Sequence, residues 1–417
     1  MGSKPLEEVL DVILDHRGKS IVDEGDGLPV ISANNLRDGQ FVEMNSIRHV
    51  SEQSYRRMMP VELKKGDVLL VSEGATFGET LFLSKDFQAA LGQRLFALRC
   101  NETYHGRYLY YYLKSRYGQD ELRARTTGTS VLGIRQSELR RVLVPEISKK
   151  EQERISGVLG PLDDKIACNL EINEKLAKMA RVIFEHWFVK YEFPDDHGKP
   201  YRTNGGRFVR SRLGEIPEGW SVSRVADESR TILGGTPERS RSDFWENGTI
   251  PWIDSGQINE FPVVRATENI TARGLGNSAA KMMPVKTVVL PLVISIGRPI
   301  RISLLGIETC GNQSVLGIVG DKRLPAEYVY YWVEFRKDDI YSWATGGAQQ
   351  HINKKNVDDT PILVPDEHVI REYTKLVTPL FDKLIWNARE NVLLTNLRDK
   401  LLPRLMSGKI RVPVEVR

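Results

Sequence analysis

At 417 residues the chain is too long for one ordinary core, and a prior of one domain per roughly 100 to 200 residues suggests two or three. Its 41% hydrophobic and 27% charged residues are a globular composition that excludes a wholly disordered chain, while a formal charge of +4 permits a nucleic-acid partner without demanding one. Cys100, Cys168 and Cys310 stand far apart with no CxxC or His-x-His companion, which argues against a disulfide framework, a zinc site or any other metal.

In chain order, the opening MGSKPLEEVLDVIL is acidic where a signal peptide would be apolar, and no apolar run reaches the roughly 18 residues of a membrane span. A cytoplasmic protein without a membrane partner is the expectation. Residues 1–147 mix short β-rich runs such as Asp67–Ser72 with Gly and Pro turns and predict an α/β globule. Residues 148–190 lack Gly/Pro clusters and read as a long helix despite Pro161. The polar, Gly-rich stretch Asp195–Arg207 marks 191–219 as a linker. A second α/β globule is expected over 220–366, a second long helix over 367–406 despite Pro379, and a tail over 407–417.

The two halves are related. VLVP at Val142–Pro145 returns as ILVP at Ile362–Pro365, and PLDDKI at Pro161–Ile166 as PLFDKL at Pro379–Leu384, each about 220 residues on. RYLYYYL at Arg107–Leu113 pairs with EYVYYWV at Glu327–Val333, MMPV at Met58–Val61 with MMPV at Met282–Val285, and Gly92–Gln93 with Asn312–Gln313. Five matches in one order at nearly one offset indicate an internal duplication.

Both long segments carry a heptad seam. Stepping alternately four and three from Ile155 meets Leu159, Leu162, Ile166, Asn169, Asn173, Leu176, Ala180, Ile183 and Trp187. From Tyr373 the same step meets Val377, Leu380, Leu384, Asn387, Asn391, Leu394, Arg398, Leu401 and Leu405. A single amphipathic helix would pack on its own globule. Two related seams instead predict antiparallel pairing about a pseudo-twofold, with Asn169 meeting Asn391 and Asn173 meeting Asn387. About 40 residues of helix span about 60 Å, enough for a rigid spacer.

GEIPEGWSVSRVAD at Gly214–Asp227, NQSVLGI at Asn312–Ile318 and LRDKLLPRLMSGKIRV at Leu397–Val412 resemble the specificity subunit of type I restriction-modification systems. The resemblance extends along the whole chain in order and duplication. It implies two tandem α/β target-recognition domains separated by two long antiparallel coiled-coil helices. It also implies a bipartite double-stranded DNA site read by one domain per half, with the helices setting the gap. The implied partners are two methyltransferase subunits, and restriction subunits joined through them. No catalysis and no cofactor are implied for this chain.

The residues agree on the last point. There is no GxxxxGK[ST] phosphate loop and no NPPY- or DPPF-type tetrapeptide, and GGTP at Gly234–Pro237 reads as a turn. DEHVIREYTK at Asp366–Lys375 holds nuclease-type residues, yet it opens a helix, where acidic side chains suit the dipole.

Phosphates are met by Lys, Arg, small hydroxyls and backbone amides, and base edges by Arg, Asn and Gln. In the first globule the candidate loops supply Asn34, Asn35, Arg37, Thr76, Arg123, Arg125, Thr126, Thr127 and Arg135, with Gly128 among them. The matching segments of the second supply Gln257, Asn259, Arg298, Arg301, Thr345, Gln349, His351, Lys354 and Lys355. Gln93 and Gln313 suit a bracing role as well as a contact, and Tyr110, Tyr111, Tyr330 and Tyr331 suit a core. Two other readings stay open from residues alone: an enzyme with an unfamiliar active site, and a protein-protein adaptor without DNA preference.

Overall fold

The computed structural model describes residues 2–15, 21–44, 47–127, 131–195, 197–320 and 322–413. The chain forms two compact units, Met1–Asp164 with Leu394–Arg417, and Lys165–Leu393.

In the first unit, strands β1 (Leu10–Asp15), β2 (Val68–Val71), β3 (Thr80–Phe82) and β4 (Leu95–Cys100) form an antiparallel sheet in the order β1-β4-β2-β3. Alternation along the strands divides their side chains between two cores. Val68, Leu70, Phe96 and Leu98 join one cluster with Tyr108 and Tyr111 of helix α1 (Gly106–Lys114); Leu69, Val71, Leu95 and Ala97 join the other. Both faces are covered, which is why DVLLVS reads as a continuous apolar run. Leu28–Ile31 pairs antiparallel with Arg48–Val50 and parallel with Ala90–Leu91, and Ser3–Pro5 pairs with Leu143–Pro145 to close the module. Helix α2 (Lys149–Phe184) then begins, and its first residues contribute Ile155 and Leu159 to the α1-side core.

The second unit repeats this plan. Strands β5 (Arg230–Leu233), β6 (Val288–Pro291), β7 (Ser303–Leu304) and β8 (Val315–Val319) lie in the order β5-β8-β6-β7. Ile250–Ile253 takes an antiparallel neighbour in Glu268–Ile270 and a parallel one in Cys310–Gly311, and Ser221–Arg224 pairs with Pro361–Val364. Helix α3 (Ala326–Tyr341) occupies the place of α1, so the duplication read from short matches is one of topology too. Tyr110, Tyr111, Tyr330 and Tyr331 are all buried.

The stretch read as a linker is folded. Phe193 stacks on Trp220 at 4.8 Å and on Tyr201 at 4.6 Å, Tyr191 meets Trp220 edge-on, and Phe208 packs against Tyr191 and Tyr201. Phe208–Ser211 and Gly214–Pro217 form a hairpin. Composition pointed to a linker because glycines and aspartates outnumber these four rings; the rings pack on one another, with Phe193 buried, and decide the outcome. Asp196 lies outside the described residues.

Within the second unit α2 and helix α4 (Glu367–Met406) run antiparallel in the expected register. Asn169 Nδ2 donates to Asn391 Oδ1 at 2.8 Å, and Asn387 Nδ2 donates to Asn173 Oδ1 at 2.8 Å. Asn169 also donates to Glu390 at 2.7 Å, and Asn173 to the Leu384 carbonyl at 3.1 Å. Lys165 and Asn169 together hold the Glu390 carboxyl below its ordinary pKa, the Asn169 hydrogen bond contributing most. A buried amide stripped of its partner costs about 1 to 3 kcal/mol, whereas replacing both partners with apolar groups is far less costly. Accordingly Asn169→Leu lowers stability in urea by about that amount, and Asn169→Leu with Asn391→Leu lowers it by less than the two single changes combined. Strict additivity in that cycle contradicts the pairing.

Candidate nucleic-acid interface

In the first module, the Ser32–Asn35 turn, the β2–β3 loop and the residues before β4 converge. Asn34 and Thr76 line a concavity of about 350 Å³ with Arg48, Glu73, Gln93 and Arg94. The β2–β3 loop turns through Gly74 and Gly78, both at positive φ; a Cβ on Gly78 would lie 2.5 Å from Gln119 Oε1. Arg94 also takes a left-handed φ of 67°, which holds its side chain beside Glu73, 3.8 Å away. The later loop is seated against this one: Gly74 N–H donates to the Leu132 carbonyl at 3.1 Å, and Ile134 N–H to that of Ser72 at 2.9 Å. Arg123, Thr127 and Arg135 are exposed there, while Gly128 to Ser130 lie outside the described residues. Arg37 is exposed on the short hairpin Leu36–Arg37 with Gln40–Phe41.

Three candidates of this module act inward. Asn35 is buried and closes a capping box: its Oδ1 accepts from Ser32 N–H at 3.0 Å and Ser32 Oγ at 2.8 Å. Its Nδ2 donates to the Val42 carbonyl. Arg125 pairs with Glu121 at 2.6 Å, and Glu121 also accepts from Leu143 N–H, so this arginine braces the closing strand. Thr126 Oγ1 donates to the Arg123 carbonyl at 2.8 Å. Asn, Thr and Arg are also turn and capping residues, and sequence alone does not separate the roles.

In the second module, Val293–Ser295, Gln349–His351 and Thr345–Gly346 form a three-stranded sheet, with His351 opposite both Val293 and Thr345 and Gln349 opposite Ser295. Thr345, Gln349 and His351 are exposed on it, and Arg298 and Arg301 are exposed in the loop that follows Ser295. Two neighbours outside the candidate set, Ile296 and Trp343, are 66% and 68% exposed. Their exposure is a tertiary property that an apolar letter in the sequence does not reveal.

Gln257 is a correction: it is buried, its Nε2 donates to the Arg265 carbonyl, and its Oε1 accepts from Thr267. Asn259 is exposed, with Nδ2 donating to the Gly256 carbonyl. Lys354 is partly exposed, and its ammonium is shared between Asp358 at 2.6 Å and Thr231 Oγ1 at 2.5 Å, tying its short helix to β5. Lys355 pairs with Asp359, which also takes Arg224 at 3.2 Å. Both lysines face carboxylates four residues on, a helical ion-pair arrangement. Gln313 Oε1 accepts from Thr236 Oγ1 at 2.5 Å, so the GGTP turn packs on the Asn312–Gln313 segment.

The described residues of the site present hydrogen-bonding and charged groups. Among the described residues no group of three or more His, Cys, Asp or Glu is placed to hold a metal. Burial pushes the Cys100 thiol up to about 12 and the Cys310 thiol up to about 11, far from the thiolate that attack requires. Asp366 caps α4, its Oδ1 accepting from His368 N–H at 2.8 Å. No described helix is long and apolar enough to cross a membrane.

A family model described as the type I restriction modification DNA specificity domain matches residues 3–178 and again 217–388. The MjaIX type I restriction enzyme specificity subunit of Methanocaldococcus jannaschii is 24% identical over 393 residues, 93% of this chain and 88% of that one. The HindI specificity subunit of Haemophilus influenzae is 24% identical over 314 residues, 63% of this chain and 68% of its own. The crystal structure of a type I restriction-modification S subunit from M. genitalium shares the fold, with TM-score 0.58 at 16% identity over 97% of this chain and 95% of that one.

These placements separate contacts from braces experimentally. Asn35→Ala costs about 1 kcal/mol of stability, as loss of a cap does, while Asn34→Ala leaves the denaturation midpoint unchanged. Lys354→Ala likewise lowers the midpoint. Equal midpoints for all three variants would contradict the division.

Proposed function

Because this chain belongs to the family of type I restriction-modification DNA specificity subunits, we propose that it reads a bipartite duplex, one module per half-site, as the non-catalytic subunit of a cytoplasmic methyltransferase and endonuclease complex. The observation that carries the reading is the repeat of one loop plan on one sheet topology. In each module the loops after the first turn and after the central strand present amide, hydroxyl and guanidinium groups outward. At matching places in the loop after the central strand the side chains differ, Glu73, Ala75 and Thr76 in one module against Ile296, Arg298 and Pro299 in the other, so the two half-sites differ in sequence.

Affinity comes from the exposed arginines through phosphate neutralisation, and preference from the amides and His351 through base edges. The helix pair sets the interval between half-sites. Two methyltransferase subunits dock on the chain, and the restriction subunits join through them.

The test is binding of the chain, with its methyltransferase partner, to a duplex carrying its modified motif and to scrambled duplex over a salt series. A preference for the bipartite motif is expected. Arg298→Ala with Arg301→Ala weakens binding to both duplexes and reduces the slope of log K against log salt by about 2, near one per lost phosphate contact. Equal binding to both duplexes by the unaltered protein favours an adaptor instead.

A further inference from the structure

The twenty seam positions of α2 and α4 correspond under an offset of 218 residues, and Arg398 is the one charged residue among them. Arg398 is 8% exposed, and it donates to Asp163 Oδ1 at 2.8 Å from Nη1 and to Asp399 Oδ1 at 2.8 Å from Nε. Asp163 accepts from the Tyr111 hydroxyl as well, at 2.7 Å, so the pair is fastened to the first module's core helix. Its partners lift the Arg398 pKa above the ordinary guanidinium range despite partial burial. The same offset places Ala180 at the counterpart of Arg398 and Phe381 at the counterpart of Asp163, and both of these lie in the second unit's apolar core. One half thus holds an ion pair where the other holds an apolar pair.

This asymmetry bears on which helix fits which. If α2 met the α2 of a second copy, Asn169 would face Asn173 and amide would still meet amide; α4 with α4 would place Asn387 against Asn391. The inner apolar layers, Leu162, Ile166 and Leu176 with their counterparts Leu380, Leu384 and Leu394, are interchangeable as well, and only the end layers exchange Ile155 and Leu405 for Tyr373 and Trp187. The charged layer is not: α4 with α4 sets Arg398 against Leu380 and Phe381, and α2 with α2 leaves Asp163 beside Ala180. A buried charge without its partner is strongly unfavourable. We propose that Asp163–Arg398 is the partner-selecting element of the seam, committing each helix to its unlike counterpart and rejecting a second copy that offers the like helix. Without it, the seam is self-complementary and pairs of identical modules form. The inference concerns pairing alone and stands whether or not the modules read DNA.

The test uses the full chain, mixed as isotopically light and heavy protein, refolded from urea at rising concentration, sized by light scattering and cross-linked through lysines. In an α2–α2 pair Lys165 of one copy lies near Lys178 of the other. Asp163→Phe with Arg398→Ala, which copies the second half's layer onto the first, raises the dimer fraction several-fold over the unaltered chain and yields light-to-heavy Lys165–Lys178 cross-links. Asp163→Arg with Arg398→Asp restores an ion pair of reversed sense and behaves like the unaltered chain. If circular dichroism shows that the apolar variant does not refold, Asp163→Asn with Arg398→Gln is read by the same criteria. The proposal is overturned if the neutral variant matches the unaltered chain at every concentration, or if the reversed pair dimerises as the neutral variant does.

Discussion

Four asparagines and one arginine inside an otherwise apolar seam constrain the rest of the molecule. Leucines alone would allow α2 and α4 to slip by a heptad at little cost, since one apolar layer resembles the next. Asn169, Asn173, Asn387 and Asn391 remove that freedom, because any other register buries unpaired amides. Register is what a spacer must have if the surfaces it carries are to address a duplex at a defined interval.

The modules are fastened to these helices by different chemistry. In the first unit the fastening is polar: Tyr111 to Asp163, Asp163 to Arg398, and Arg107 to Asp164. In the second it is aromatic, with Phe184, Trp187, Phe188, Tyr328, Tyr331, Tyr373 and Phe381 in mutual contact. Lys286 there bridges Glu327, the counterpart of Arg107, to Asp382, the counterpart of Asp164. A duplicated chain has diverged at its joints while keeping its sheet order, and divergence at joints tells one half from the other.

Much of this was legible from residues because it depends on periodic or repeated features. The heptad step located the four asparagines and their partners, and short matches at one offset anticipated a shared topology that the strand order bears out. What was not legible depends on tertiary context. Asn35 and Gln257 have the side chains of base readers, yet both are buried and brace loops, because an amide serves backbone carbonyls and base edges equally. Lys354 and Lys355 gave a basic signal that Asp358 and Asp359 neutralise one helical turn on. The aromatic stack on Trp220 was hidden by the glycines around it. Arg48 and Arg94 join the first module's concavity through pairings that no local pattern announces.

In the proposed function the helix pair dictates the interval at which DNA is read. Removing one heptad at facing positions of α2 and α4, so that the asparagine layers stay matched, shortens the spacer by about 10 Å, or roughly three base pairs. Selection of the assembled complex on a duplex library with randomised gaps measures the consequence. A helix pair that sets the interval yields unchanged half-sites with a preferred gap about three base pairs shorter; an unchanged gap together with unchanged half-sites contradicts that role.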